Sequence, residues 1–290
     1  MKTPALLKKE TAWALLFLAP SVSGFALFYA IPFMMGLVYS FMDRTIDGTF
    51  VGWDNYRELL ASGSFRKAAW NTTFFTIISV PLMVGLSLGL ALLLNQNVYI
   101  RQWLRTAYML PLVVPVASIV MIWQIGFDWN GTVNAWLHNL GIDRVDWMKS
   151  DWAIIVVMVI YIWKNIGYNM ILFLAGLQNI PDSYYEIANL EGAGHFTKLF
   201  RITLVYVMPT MFFVVLMSII NSFKVFRETY LMAGDYPHDS IYMLQHYMNN
   251  MFISLDVQKL TAASSFMVGS IMLIVLGLYM LERRFRNFME

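Results

Sequence analysis

Residues 152–177 read WAIIVVMVIYIWKNIGYNMILFLAGL, an apolar run that contains a single charged residue, Lys164. A helix needs roughly 20 apolar residues to cross the hydrocarbon core of a membrane, which is about 30 Å thick. No water reaches the backbone in that layer, so only a helix or a closed barrel satisfies its own hydrogen bonds. The run therefore predicts a membrane-spanning helix.

Five further apolar blocks flank this run along the chain. They cover residues 12–41, 71–94, 103–126, 205–222 and 261–281. The composition points the same way, since 59% of the residues are hydrophobic and 13% are charged, whereas soluble domains carry about 25% charged residues. We predict an all-α, polytopic membrane protein with six transmembrane helices, of which the first is a retained anchor because its apolar run is too long for a signal peptide.

Several classes of function are excluded by residue types. The chain has no Cys, which rules out disulfides and thiol chemistry. Its net charge of +2 offers no basic face for nucleic acid. No Gly-Lys-Ser/Thr phosphate loop occurs, so the chain does not bind ATP by that mechanism. Its four histidines lack metal-ligand spacing, and we predict no metal site; they are His138, His195, His238 and His246.

Basic residues set the expected orientation. Ten Lys and Arg residues lie on one side and nine on the other, but the first group lies on shorter segments and is denser. Positive residues concentrate in the cytoplasm, so both termini and residues 178–204 are predicted to be cytoplasmic. The dense group comprises Lys2, Lys8, Lys9, Arg101, Arg105, Lys198, Arg201, Arg283, Arg284 and Arg286.

The longest predicted cytoplasmic segment, residues 178–204, has a helical composition after Pro181 and a glycine at 192. This pattern predicts a short helix that ends at a glycine break. Two interpretations stay open. The helix lies on lipid headgroups, or it is a contact surface on which Glu186 offers a charge and the small Ala188 and Gly192 permit close approach.

Polar side chains interrupt two of the predicted spans. Tyr161, Asn165 and Tyr168 share one helical face, with Lys164 and Asn169 beside them. A second patch comprises Ser218, Asn221 and Ser222. Such groups bond neighbouring helices, or they line a path for a polar substrate. Aromatic rings, amides and hydroxyls suit a carbohydrate.

Lys164 lies near the middle of its span, so its ammonium group does not easily reach either surface. We expect a carboxylate or carbonyl partner for it. The alternative role is that of a counter-ion for an anionic substrate.

Several motifs resemble, in order, those of the sugar permeases of ABC importers, the maltose-transporter type. Glu186-Ile-Ala188, Gly192 and Ile202-Thr-Leu204 resemble the family's docking-loop signature, Glu-Ala-Ala, Gly and Ile-x-Leu-Pro, with departures at Ile187 and Val205. Further matches are Val51–Tyr56, Asn71-Thr72, Ala91–Asn95, Ala175–Pro181 and Phe223–Phe226, whereas Gly234–Pro237 replaces a Gly-Gly-Pro turn.

The resemblance implies a type I ABC importer transmembrane fold in a bacterial inner membrane. Residues 1–66 would form the first helix and an outer loop, 67–282 the core, and 283–290 a cytoplasmic tail. The implied partners are a second homologous permease, two ATPase subunits that bind ATP and Mg²⁺, a solute-binding protein, membrane lipid and an oligosaccharide substrate. This chain itself would hold no cofactor and catalyse no reaction. The implied ATPase-docking residues are Glu186, Ile187, Ala188, Gly192 and Gly194.

Two alternatives to a sugar importer remain open. One is a secondary transporter or channel that works alone, with Lys164 as its ion-coupling or gating group. The other keeps the ABC architecture and changes the cargo to a polyamine, a phosphate ester or an acidic sugar.

Overall fold

Helices form nearly all of the regular structure in the computed structural model, which describes residues 4–96 and 99–289. Within those ranges no strand forms, and one isolated antiparallel bridge joins Met42 and Phe50. The predicted all-α class is therefore confirmed. Five helical stretches are long and apolar enough to cross a membrane: Trp13–Tyr39, Gly63–Asn95, Ala153–Gln178, His195–Ala233 and Val257–Arg284.

Fourteen α-helices make up most of the described residues. In chain order they are α1 Pro4–Phe25, α2 Ile31–Tyr39, α3 Asp54–Ala61, α4 Gly63–Asn95, α5 Arg101–Val113, α6 Val116–Phe127, α7 Thr132–Asn139, α8 Ala153–Gln178, α9 Asp182–Leu190, α10 His195–Lys198, α11 Leu204–Phe223, α12 Phe226–Ala233, α13 Leu244–Ile253 and α14 Val257–Met289. Turns of π-helix at Ala26–Ala30 and Leu199–Thr203 join α1 to α2 and α10 to α11, and a 3₁₀ turn spans Asp239–Ile241.

The span predicted over residues 103–126 is broken. Helix α5 ends at Val113, and the helical path resumes at Val116 with a bend of 101°. Val114 is extended, with ψ 134°, because the ring of Pro115 disfavours helical geometry in the residue before it. Pro115 also lacks the N–H that would continue the ladder. Residues 4–96 and 99–289 thus hold five candidate spans and a sixth in which two helices meet at a bend.

By its internal contacts the chain divides into two compact units. One comprises the residues up to Ser62 together with Met251–Val268. The other comprises Gly63–Asn250 and the residues from Gly269 onward.

In the first unit, the motif around Asn55 closes the end of α2. The Asn55 Nδ2 donates to the carbonyl oxygens of Ser40 at 2.9 Å and Met42 at 2.8 Å. The Tyr56 hydroxyl bonds the Ser40 Oγ at 2.8 Å. Carbonyls at a helix end lack intrahelical partners, so this asparagine supplies donors that the backbone cannot.

In the second unit, α4, α5, α8 and α11 pack against one another. Two glycines of α8 permit this. A Cβ on Gly167 would lie 1.8 Å from the Tyr108 carbonyl oxygen of α5, and one on Gly176 would lie 2.6 Å from the Thr210 Oγ1 of α11. Small residues at such crossings let membrane helices approach closely.

Polar contacts anchor the segment after α12 to α4. The Asn71 Nδ2 donates to the carbonyl oxygens of Asp239 at 2.6 Å and Tyr242 at 3.0 Å. The Lys67 Nζ lies 2.7 Å from the Asp239 Oδ2, and this hydrogen bond and charge hold the pKa of the Asp239 carboxyl below its usual range. The asparagine of the Asn71-Thr72 motif therefore has a structural role.

The Gly167 contact makes a prediction about stability. Gly167→Ala should destabilise the protein by about 1–3 kcal/mol, because its Cβ meets backbone that cannot rotate away. Gly85→Ala is the matched control in α4, since a Cβ there meets nothing within 4 Å and alanine is the better helix former. Thermal unfolding of the detergent-purified protein measures both, and equal midpoints for the two variants would contradict the proposed close contact.

Candidate functional site

A cavity of about 340 Å³ lies in the second unit between α5, α8, α11 and α12. One face of α8 supplies part of its wall, because residues spaced i, i+3 or i+4, and i+7 lie on the same side of a helix. The break between α11 and α12 supplies the facing wall. The polar lining residues are Tyr161, Lys164, Asn165, Tyr168, Asn221, Lys224, Arg227 and Glu228.

Five of the eight predicted path residues line this cavity. They are Tyr161, Lys164, Asn165, Tyr168 and Asn221. The structure thus brings the stripe of α8 and one residue of α11 to one place.

The other three predicted path residues are buried in bonds that hold helices together. The Asn169 Nδ2 of α8 donates to the Ser218 Oγ of α11 at 2.9 Å. The Ser222 Oγ and the Thr76 Oγ1 of α4 are 2.8 Å apart and share a hydrogen bond. Asn169, Ser218 and Ser222 therefore bond neighbouring helices. The five residues that line the cavity fit the other interpretation, a path for a polar substrate.

Within the cavity wall, the side chains differ in whether their polar groups are already bonded. The Tyr161 hydroxyl donates to the Ser218 carbonyl oxygen at 2.7 Å, and the Asn165 Nδ2 donates to the Tyr161 carbonyl oxygen at 2.8 Å. The Tyr168 hydroxyl and the Asn221 side-chain amide form no hydrogen bond within residues 4–96 and 99–289. These last two groups are free to bind a ligand.

Lys164 pairs with Glu228 of α12, which confirms the expected carboxylate partner. Lys164 follows Ala153 by 11 residues and precedes Gln178 by 14, so it lies about 16 Å and about 21 Å from the two ends of α8. Its side chain is 18% exposed and that of Glu228 is 7% exposed. Removing one partner of such a buried pair costs about 3–5 kcal/mol, because the other charge is left uncompensated.

Sequence reasoning missed the acid and the two further cations of the cavity wall, Glu228, Lys224 and Arg227. All three directly follow the apolar block 205–222, in a polar stretch of the chain. The sequence indicates that Lys164 needs an acidic partner. It does not indicate which of the 18 Asp and Glu residues of the chain lies close to it.

The predicted short helix and glycine break in the segment 178–204 are confirmed. Helix α9 begins directly after Pro181 and ends before Gly192, which has φ +75°. The Ala193 N–H donates to the Ala188 carbonyl oxygen at 2.8 Å and the Gly192 N–H to that of Asn189 at 3.1 Å. This is the hydrogen-bond pattern of a glycine-terminated helix.

The surface of this segment exposes large apolar side chains together with charged ones. Glu186 is exposed, and Ile187 is 54% exposed. Ala188 instead faces inward with 9% exposure, so it packs within the chain and does not open the outer surface to a partner. Gly194 is also exposed and forms the N-cap of α10. Three further large apolar side chains of the segment 178–204 are exposed, namely Leu190, Phe196 and Phe200.

Among the residues with described positions, no three His, Asp or Glu side chains converge as metal ligands. His246 is fully buried, with the ring of Phe226 at 4.8 Å and the Thr229 Oγ1 at 3.4 Å. Burial lowers the pKa of His246 to about 4. This histidine is therefore neutral at pH 7 and packs the core.

Comparison with known proteins places the chain in a family. Residues 82–287 match the protein family described as the binding-protein-dependent transport system inner membrane component. The sulfoquinovosyl glycerol permease SmoG of Agrobacterium fabrum is 31% identical over 249 residues, which cover 83% of this chain and 80% of SmoG. The arabinooligosaccharide permease AraP of Halalkalibacterium halodurans is 33% identical over 220 residues, which cover 74% of this chain and 69% of AraP.

A solved structure shares the fold. A chain from the crystal structure of a bacterial ABC transporter that imports the acidic polysaccharide alginate matches with a TM-score of 0.83 and 24% identity, covering 97% of this chain and 99% of that one. The matching relatives are transport permeases. The chain therefore belongs to the inner-membrane components of binding-protein-dependent transport systems, as a multi-pass membrane protein with the type I ABC importer permease fold.

Proposed function

We propose that this chain is a permease subunit of an ATP-driven importer and forms, with a homologous subunit, the membrane path of a carbohydrate, most simply an oligosaccharide. The cavity beside α8 carries the proposal, because Tyr168 and Asn221 present a free hydroxyl and a free amide there. An aromatic ring packs on the apolar face of a sugar, while amides and hydroxyls bond its hydroxyl groups. Relatives named for sulfoquinovosyl glycerol and arabinooligosaccharide transport support a carbohydrate cargo.

The energy source in this proposal is a pair of separate ATPase subunits that bind ATP and Mg²⁺. The sequence supports this because it has no phosphate-binding loop of its own. An extracytoplasmic solute-binding protein would deliver the cargo. The crystal structure of a bacterial alginate ABC transporter in complex with an alginate pentasaccharide-bound periplasmic protein supports such a partner.

Helix α9 would dock on the ATPase, with Glu186 as a charged contact and Ile187 as an apolar one. Exposed apolar side chains such as Ile187 are typical of a surface that contacts another protein or a membrane. A helix on lipid headgroups is the competing role.

A continuous helical path joins the docking segment to the cavity. The Tyr185 hydroxyl of α9 and the Thr203 Oγ1 share a hydrogen bond at 2.9 Å. From there α11 runs to Phe223, and its last turns carry Asn221 into the cavity wall. Closure of the ATPase dimer would thus move α9, then α11, and so switch the cavity between the two sides of the membrane.

The alternative of a transporter that works alone draws no support from Lys164. Its ammonium group is neutralised by Glu228, so it is not a free charge that could couple or gate ions.

The free groups of the cavity predict a transport defect without a folding defect. Asn221→Ala should lower uptake by roughly 5- to 150-fold, the range of one lost hydrogen bond to the cargo, and leave the unfolding midpoint unchanged. Asn169→Ala is the contrasting variant, since its amide bonds Ser218 and its loss should lower stability. Uptake by proteoliposomes that contain the complete importer measures the first effect. Normal uptake by both Asn221→Ala and Tyr168→Phe would remove the cavity from the path.

The docking role predicts two different failures. Gly192→Leu should strain the left-handed cap by about 1–2 kcal/mol and release the ATPase during purification. Glu186→Ala should keep the ATPase bound but abolish stimulation of ATP hydrolysis by the solute-binding protein.

Glu58→Ala is the matched control for these variants, because Glu58 is exposed on α3 outside the docking segment. Co-purification and substrate-stimulated ATPase activity decide the outcome. Normal assembly and coupling in both docking variants would instead favour a helix that lies on lipid.

The orientation proposed from basic residues places both termini in the cytoplasm, and it can be tested because the chain has no native Cys. Single substitutions Ile46→Cys and Tyr236→Cys, at side chains that are 78% and 81% exposed, should react with an impermeant thiol reagent applied from outside. Ser183→Cys should react only after the membrane is permeabilised. Labelling of Ser183→Cys in sealed spheroplasts would show that the orientation is the reverse of the proposed one.

A further inference from the structure

The charged groups around the cavity do not balance. Three cations, Lys164, Lys224 and Arg227, face it together with one carboxylate, Glu228. The Lys164 ammonium group already pairs with that carboxylate. In the described part of the chain, Lys224 and Arg227 form no ion pair with any other residue. The wall therefore carries two uncompensated positive charges.

These two cations are more exposed than the members of the ion pair. Lys224 and Arg227 are both exposed, while the Glu228 side chain is only 7% exposed. A further ligand thus reaches the free cations and is not repelled at short range by an open carboxylate. Charged groups beside a low-dielectric wall attract counter-ions more strongly than charges in bulk water.

Lys224 lies in the short break between α11 and α12, and Arg227 lies in the first turn of α12; both line the cavity together with Asn221. A guanidinium group binds a planar carboxylate with two parallel hydrogen bonds, and an ammonium group adds a point charge of the same sign. Asn221 and Tyr168 meanwhile offer neutral hydrogen-bonding groups in the same cavity. The site therefore combines groups for an acid with groups for a sugar ring.

We propose that the cargo of this cavity is an anionic carbohydrate, a sugar or short oligosaccharide that carries carboxylate or sulfonate groups. Arg227 and Lys224 bind the acidic group, and Asn221 and Tyr168 bind the ring and its hydroxyls. This inference rests on the proposed function, because it names the charge class of the carbohydrate that the permease carries.

The test compares sugars that differ in charge. Proteoliposomes with the complete importer, including its own solute-binding protein, are given trigalacturonate, triguluronate and a 6-sulfonated glucoside. The neutral probes are the methyl ester of trigalacturonate, maltotriose and arabinotriose. We expect uptake of at least one anionic probe, roughly 10-fold or more faster than that of the neutral probes.

The double variant K224Q/R227Q assigns this preference to the permease, because the solute-binding protein is unchanged. It should lose roughly 10- to 100-fold of the uptake of the anionic probe and still assemble with the second permease. The charge-conserving Lys224→Arg should retain most of the uptake. Arg57→Gln is the control for charge removal elsewhere, because Arg57 is exposed and pairs with Asp54 on α3.

Three results would overturn the inference. Uptake of neutral oligosaccharides alone would overturn the preference for an anionic cargo but would leave the proposed function intact. Full uptake of the anionic probe by K224Q/R227Q would also overturn the inference, as would loss of the second permease from that variant, since the cations would then serve subunit pairing. If neither anionic nor neutral carbohydrate moves, the proposed function fails and this inference falls with it.

Discussion

The hydrocarbon layer offers no hydrogen-bond partner to the backbone, and the whole architecture follows from this constraint. Helices satisfy it wherever the chain is continuous. Irregular backbone is tolerated only where protein or a cavity lies beside it. The break at Val114-Pro115 follows Leu112, a cavity-lining residue, and the break between α11 and α12 places Lys224 and Val225 on the wall of the same cavity. Both of these helix breaks therefore lie beside the cavity.

The same low polarity forces each buried polar group to find a partner or a cavity. Asn169 has a partner in Ser218, and Lys164 has one in Glu228. Asn221 instead lines the cavity. This division separates residues that hold the bundle together from residues that can bind cargo, although both sets have the same chemical types.

In the proposed mechanism, one continuous helical element couples the docking segment to the cavity. The π-helical turn at Leu199–Thr203 joins α10 to α11, so helical backbone continues from His195 to Phe223. The hydrogen bond between Tyr185 and Thr203 would pass a displacement of α9 to this element. Stiff helices transmit such shifts over their whole length, which is how a docking event at one end can reorganise the cavity at the other.

The sequence by itself determined the helical class, most of the membrane spans and the glycine-terminated helix before Gly192. Each depends on a local property, namely the length of an apolar run or the backbone conformation that one residue allows. It also indicated that Lys164 needs a partner. Only the tertiary structure decided that this partner is Glu228, 64 residues away, and that Ala188 faces inward. It also decided that the Asn169 amide bonds Ser218, whereas the Asn221 amide has no partner among the described residues. Those outcomes depend on which helix faces pack together, and packing joins residues whose separation along the chain carries no information about their contact.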